Sequence, residues 1–305
     1  MTFIEKHLDL HPPKNQSSWR KIAIGTWRSA KDPSVYGVLE LRCEKAMEYI
    51  DSLSKSSGQR VTITHFLGKA IAEALRRNPE INSVLRFGKI YSRKNVTLFF
   101  QVATDQQGKD LSGVIVRDAE NKTLLQMTTE MNKRIASVRD FSDKSYSQMK
   151  SLMSLIPGWL TGWVLDVAGF IQYSLNMWSP LLGTPKDPMG SVMITNIGSL
   201  GLDLGFAPLV AYSRVPLLIT AGAIKQRPVV ENGEIVVGTT IPLCVTFDHR
   251  IIDGMHASKL SQTMIKIFAD PETELNVAER EKTPAPALAL TVGAHSREST
   301  LPSPA

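Results

Sequence analysis

Apolar and polar positions alternate from Ser34 to Cys43, with Val35, Leu39, Leu41 and Cys43 set against Tyr36, Glu40 and Arg42. A period of two is that of a strand with one buried face. The spacing then lengthens. Ala46, Ile50 and Leu53 fall on one face of a short helix, and the polar run from Ser54 to Gly58 reads as a loop. Thr64 is placed to cap a second helix, whose broad stripe of Leu67, Ala70, Ile71, Ala74 and Leu75 is stopped by Asn78-Pro79. Strands are predicted at about 84–92, 95–103 and 112–117, with the turn-rich Asp105-Gln106-Gln107-Gly108 between the last two. Thr123 and Gln126 form a capping box ahead of Leu124, Met127, Met131, Ile135 and Val138, which keep helical spacing.

The pattern breaks at about 142–188. From Leu155 to Tyr173 the chain carries one charge, Asp166, and Trp159, Trp163 and Trp178 are three of its five tryptophans. A spanning helix needs roughly 20 apolar residues; this run approaches that length but holds Pro157, Asp166, Gln172 and several glycines. The pattern therefore predicts a helical hairpin at a subunit interface, a lid, or an interfacial segment, rather than a membrane span. Regular alternation returns with a strand over Ser191 to Thr195, a hairpin from Leu217 to Phe247 with Asn232-Gly233 at its tip, and a last helix from Met255 to Asp270-Pro271.

Composition narrows the picture modestly. The 305 residues are 43% hydrophobic and 21% charged, enough for a large core in one or two domains. The net charge of +6 is spread along the chain without a basic run, which argues against nucleic acid as a partner. Cys43 and Cys244 belong to no metal-type spacing and read as buried thiols, and Met1 to Leu10 shows no secretory signal, so a cytoplasmic enzyme without a metal is expected. Residues 282–305, rich in Pro, Ala, Ser and Thr, read as a flexible tail, and 1–18 as an irregular arm.

One stretch carries candidate chemistry. In Phe247-Asp248-His249-Arg250-Ile251-Ile252-Asp253-Gly254 a histidine follows an alternating strand, and an aspartate precedes an apolar-periodic helix. Histidine moves protons near neutral pH, so His249 with a nearby carboxylate suggests a general base. Taken alone, the same residues also suit a hydrogen-bonded structural histidine and a helix N-cap at Asp253.

Asp-His-Arg-x-x-Asp-Gly, as Asp248 to Gly254 spell it, resembles the active-site signature of the dihydrolipoamide acyltransferase catalytic domain of 2-oxo acid dehydrogenase complexes. Pro79-Glu80-Ile81-Asn82 matches a second pattern of that family, and the order of elements follows it from Arg20 to Asp270 apart from the insertion. The resemblance implies an α/β fold: the two-layer, chloramphenicol acetyltransferase-like CoA-dependent acyltransferase fold, a mixed sheet flanked by helices, here with a helical apolar insertion. The catalytic domain would span 19–281.

It further implies acyl exchange between coenzyme A, as acyl-CoA substrate, and a thiol, ordinarily a dihydrolipoyl group. His249 would be the base and the Thr195 hydroxyl, from Ile194-Thr195-Asn196-Ile197-Gly198, the oxyanion donor. Arg20 would pair with Asp253 to hold the turn that presents His249. A homotrimer or larger cage is implied, with the site between subunits. With no lipoyl or peripheral-subunit-binding domain read ahead of residue 19, the lipoyl-bearing protein would act in trans. Ser213-Arg214-Val215-Pro216 stands where the family usually has Asn-Pro-Pro. Two alternatives stay open: a non-catalytic scaffold that meets a partner or a membrane periphery through 145–185, and an acyltransferase acting on a small amine or hydroxyl.

Overall fold

A computed structural model describes residues 5–12, 17, 32–103, 111–139, 157–179 and 186–280. The expected helix at Trp19 with Arg20, the turn at 105–108, the first part of the insertion and the tail at 282–305 lie outside the described residues.

The alternating segments assemble into one mixed sheet. Its strands are β2 (Ser34–Arg42), β5 (Leu98–Ala103), β6 (Leu111–Val116), β8 (Val192–Asn196), β9 (Leu217–Ala221), β10 (Lys225–Glu231) and β11 (Glu234–Asp248). β5, β8 and β9 run parallel, β6 closes one edge, and β11 runs antiparallel between β9 and β2. β10 continues the direction of β9 along the same side of β11, and Asn232-Gly233 turns the hairpin with both residues at positive φ.

One face of the sheet is covered by helices. These are α1 (Glu44–Ser57), α2 (Ile63–Arg77), α3 (Leu124–Arg139), α5 (Gly254–Ala269) and α6 (Pro271–Arg280). α2 lies at the centre and touches the other four. Every residue from His65 to Leu75 is buried, so the helix is covered beyond its apolar stripe and its polar side chains are enclosed as well. Its two internal charges are compensated: Lys69 Nζ donates to the Glu120 carbonyl at 3.3 Å, and the Glu73 carboxylate accepts from Arg76 and Arg77 at 2.9 and 2.6 Å. Phe66 on α2 meets Phe268 of α5 edge-on at 5.1 Å and Tyr49 of α1 at 6.3 Å, so one ring joins three helices.

Several local expectations shift. The helix after Cys43 runs on to Ser57, because the hydroxyls of Ser54 and Ser57 donate back to the Ile50 and Leu53 carbonyls and Gly58 closes the helix in the left-handed region. Thr62, not Thr64, caps α2, in a capping box with His65. The stretch at 84–92 is a hairpin of β3 (Ser83–Arg86) and β4 (Lys89–Ser92), turned at Phe87-Gly88 with both residues at positive φ. Asp270-Pro271 ends α5 but also starts α6, since proline suits the first turn of a helix.

The insertion holds a helix, α4 (Gly158–Gly169), which passes into a π-helical turn over Phe170–Ser174. The segment is anchored at both faces. Gly169 packs against the backbone of Tyr212, where a Cβ would fall 2.5 Å from the carbonyl oxygen. Tyr173 is buried with Leu8 and Val84, and Arg86 closes the π turn by donating to the Ser174 carbonyl through Nε at 3.1 Å and Nη2 at 3.0 Å. The strand that follows, β7 (Met177–Trp178), pairs with β1 (Glu5–Lys6). Among the described residues no helix is long and apolar enough to cross a membrane.

Candidate functional site

The end of β11 is wound into a tight turn by its own aspartate. The Asp248 carbonyl accepts from Ile251 N and Ile252 N, both at 2.9 Å, and its carboxylate accepts from Arg250 N at 3.0 Å. Arg250 also closes on Asp248 through its guanidinium, with Nη2 2.7 Å from Oδ2. Neighbouring strands clamp this turn: Asp248 N donates to the Pro216 carbonyl at 2.8 Å and His249 N to the Pro33 carbonyl at 3.0 Å. The backbone that carries His249 is therefore fixed from both sides.

Its ring is oriented as well. His249 Nδ1 lies 3.1 Å from the Ile252 carbonyl oxygen. A carbonyl only accepts, so in this contact Nδ1 carries the proton and the neutral ring keeps Nε2 as its basic nitrogen. That is the tautomer a proton-accepting histidine needs.

Asp253 caps α5. Its carboxylate accepts from Met255 N and His256 N at 3.1 Å each, with the His256 ring returning to the cap. This role starts the helix one step after the histidine turn. Arg20, its expected partner, lies outside the described residues.

Thr195 sits at the other end of the sheet. It pairs with Thr220 on β9, and Thr220 pairs with Cys244 on β11, five positions before His249. With about 3.3 Å per residue and about 4.8 Å between strands, Thr195 and His249 of one chain are roughly 15–20 Å apart. One chain does not bring them together.

Thr195 shares with Met193 the face turned away from the helices, because Ile194 fills the helix-side core. Its neighbour Asn196 faces the helices and donates to Thr64 Oγ1 at 2.9 Å. An extended strap from Leu202 to Phe206 crosses the open face. The Leu202 carbonyl accepts from Ala223 N at 2.9 Å, Gly205 N reaches Cys244 Sγ at 3.4 Å, and the Phe206 ring meets Tyr36 at 5.3 Å. Gly222 makes this approach feasible: a Cβ there would come within 1.9 Å of the Asp203 carbonyl oxygen and 2.8 Å of Pro242. Gly222→Ala is expected to lift the strap and lower stability by about 1–3 kcal/mol in denaturant titration. A variant as stable as the parent would contradict the strap's packing.

Two contributors were not singled out from sequence. In the sequence Pro216 reads only as part of a replacement for Asn-Pro-Pro, yet its carbonyl holds the histidine turn. Arg214, two residues earlier with φ of 53°, has its pKa lowered by burial and by the charge of Arg250, so this unusual tetrapeptide belongs to the same electrostatic cluster as the signature. The departure from the family pattern was the available signal.

Comparison with known proteins agrees with this architecture. A Bacillus subtilis lipoamide acyltransferase component of the branched-chain alpha-keto acid dehydrogenase complex is 25% identical over 205 residues, 67% of this chain and 38% of the relative. The dihydrolipoyllysine-residue acetyltransferase component of the pyruvate dehydrogenase complex from Staphylococcus aureus is 24% identical over 222 residues, 72% of this chain and 41% of the relative. The chain thus spans about two fifths of the length of these relatives.

Among solved structures, the dihydrolipoamide acetyltransferase of Azotobacter vinelandii superposes with a TM-score of 0.60 at 19% identity, over 87% of this chain and 100% of that one. The cubic core of the pyruvate dehydrogenase multienzyme complex gives 0.59 at 19% identity with the same coverage. The family model of the 2-oxoacid dehydrogenases acyltransferase catalytic domain matches residues 16–150 and 184–275, and with that match across both halves of the sheet the chain belongs to this family.

Proposed function

We propose that the protein transfers an acyl group between coenzyme A and a thiol acceptor, a dihydrolipoyl group in the first instance. The observation that carries this reading is the His249 ring, tethered through Nδ1 so that Nε2 is its basic nitrogen, at the end of a clamped strand in a chain of this family. A free thiol attacks as the thiolate and has a pKa of about 8.5, so it requires a base at hydrogen-bond distance. Nε2 of His249 takes the thiol proton as sulfur attacks the thioester carbonyl. The tetrahedral oxyanion then receives a hydrogen bond from the Thr195 hydroxyl. Collapse expels the second thiolate, which recovers the proton from His249, so no acyl-enzyme is needed. Asp253, as the cap of α5, positions the segment next to the base, and Arg20 is proposed as its ionic partner.

The separation of His249 and Thr195 within one chain favours a site shared between subunits, as in the trimer that the family resemblance implies. The open face fits such packing. Tyr36, Val38, Leu200, Leu202, Leu204 and Phe206 are each 45–73% exposed, apolar surface of the kind that a subunit contact covers. In this arrangement the strap, the edge strand β2 and the Thr195 end of β8 meet a neighbouring copy, and that copy supplies the histidine.

The reading is tested by supplying acetyl-CoA or a branched acyl-CoA with free dihydrolipoamide and following CoA release. Wild type should turn over well above His249→Ala, by about 10²–10⁴-fold. Equal, near-background rates for both would remove the lipoyl-acyltransferase reading. Transfer to a small amine or hydroxyl with dihydrolipoamide inert would move the acceptor class and leave the base in place.

A further inference from the structure

A cavity of about 280 Å³ lies on the far side of the sheet from β11, where the N-terminal segment, the approach to β5, the turn after β6 and the chain entering β8 converge. Arg93, only 6% exposed, lines it. One guanidinium nitrogen, Nη1, is committed to Asp187 Oδ2 at 2.5 Å. Nε and Nη2, which form the opposite edge of the planar group, have no hydrogen-bond partner among the described residues. The two ring nitrogens of His7, 1% exposed beside Tyr173, have none either. A buried charged donor left unsatisfied is costly, and Arg93 carries two such N–H groups at the wall of this cavity.

Three cations, Arg93, Arg117 and Lys186, balance three carboxylates, Asp9, Asp118 and Asp187, around the opening, so an anion would be drawn by the placement of the cations and not by a net charge. Arg117 and Lys186 also line the cavity. Of the three carboxylates present, Asp187 is bound to Arg93, Asp118 accepts from the Asn95 amide, and Asp9 is on the exposed rim. The field of Arg93, Lys186 and Arg117 adds to burial in holding the His7 pKa down at about 4, against the opposing pull of Asp187. Asp118 and Asp187 both adopt positive φ, at 50° and 46°, so two strained turns keep these carboxylates in place. The free Nε–Nη2 edge of an arginine matches two oxygens of one oxyanion. Two further cations suit a dianion better than a single carboxylate.

We propose that this cavity is a binding site for a phosphate group, received in bidentate fashion on the Nε–Nη2 edge of Arg93, with Arg117 and Lys186 balancing its second charge. The site needs no acyl transfer to exist, so it stands or falls separately from the reading of His249.

Calorimetric titration of the full chain with inorganic phosphate, at constant ionic strength with chloride as the control anion, tests the assignment. Saturable binding is expected, weakened at least about tenfold in a double variant Arg117→Gln, Lys186→Gln, which is about 1.4 kcal/mol, and lost in Arg93→Met. The double variant keeps the test valid if loss of Arg93 unfolds the protein, because Arg117 and Lys186 are only partly buried. Absence of saturable phosphate binding in wild type, or equal affinity in a folded double variant, would overturn the proposal. A second arm with coenzyme A identifies the source: competition with phosphate and a matching loss in the double variant assign the group to coenzyme A itself. Independent binding of the two assigns it to a separate small phosphate compound.

Discussion

Mixing His249→Ala chains with Thr195→Ala chains is expected to restore acyl transfer that neither variant shows alone. On the proposed roles each parent should be deeply impaired: loss of a general base by about 10²–10⁴-fold, and loss of an oxyanion donor by about 10²–10³-fold. Within a chain the two residues stand at opposite ends of strands separated by β9, as the pairing of Thr195 with Thr220 and of Thr220 with Cys244 requires. If a site draws its histidine from one subunit and its threonine from the next, random reassembly of a symmetric ring leaves about one quarter of the sites with both groups intact. Co-refolding the two variants and measuring CoA release decides the matter. No recovery in a mixture shown to contain hybrid oligomers would place both residues of a working site in one chain, against the register of the sheet.

Phe66→Ala is expected to give the largest loss of stability, about 3–5 kcal/mol, read as a lowered midpoint in denaturant. Phe66 is fully buried on α2 and contacts rings from α1 and α5. Its removal opens a cavity where three helices meet and none can close in without leaving the sheet. Phe66→Leu should recover much of the loss, because it restores most of the volume. A Phe66→Ala variant within about 1 kcal/mol of the parent would mean that the helices repack freely and that α2 is not the centre of this layer.

Patterns confined to a few neighbouring residues were legible from the chain itself. The alternation in β2 and β11, the Thr123–Gln126 capping box and the Asn232-Gly233 turn each rest on such short-range relations, and the structure forms each of them. Local signals mislead where one competes with another. Phe87 takes a positive φ that an aromatic residue seldom adopts, so the 84–92 hairpin reads as one strand. Ser54 and Ser57 look like loop residues because their hydroxyls can leave a helix, but here they bond inside it. A proline after an apparent stop hid α6.

In the site, His249 was legible from its spacing, and the Asp253 cap was one of the two readings open to that residue. The distance from His249 to Thr195 was not, because it depends on the order and register of β8, β9 and β11, which follow from tertiary pairing rather than from any local run.

β11 is a single strand of 15 residues, about 50 Å from end to end. Its hairpin end exposes Ile235 and Val237, with Val230 beside them on β10, and its other end runs directly into Asp248 and His249. In between, β2 grips it over nine consecutive pairs. Such a strand acts as a stiff rod. Held by β2 along one edge and by β9 along the other, it has little freedom to slide, so the histidine turn keeps a fixed place relative to the rest of the sheet.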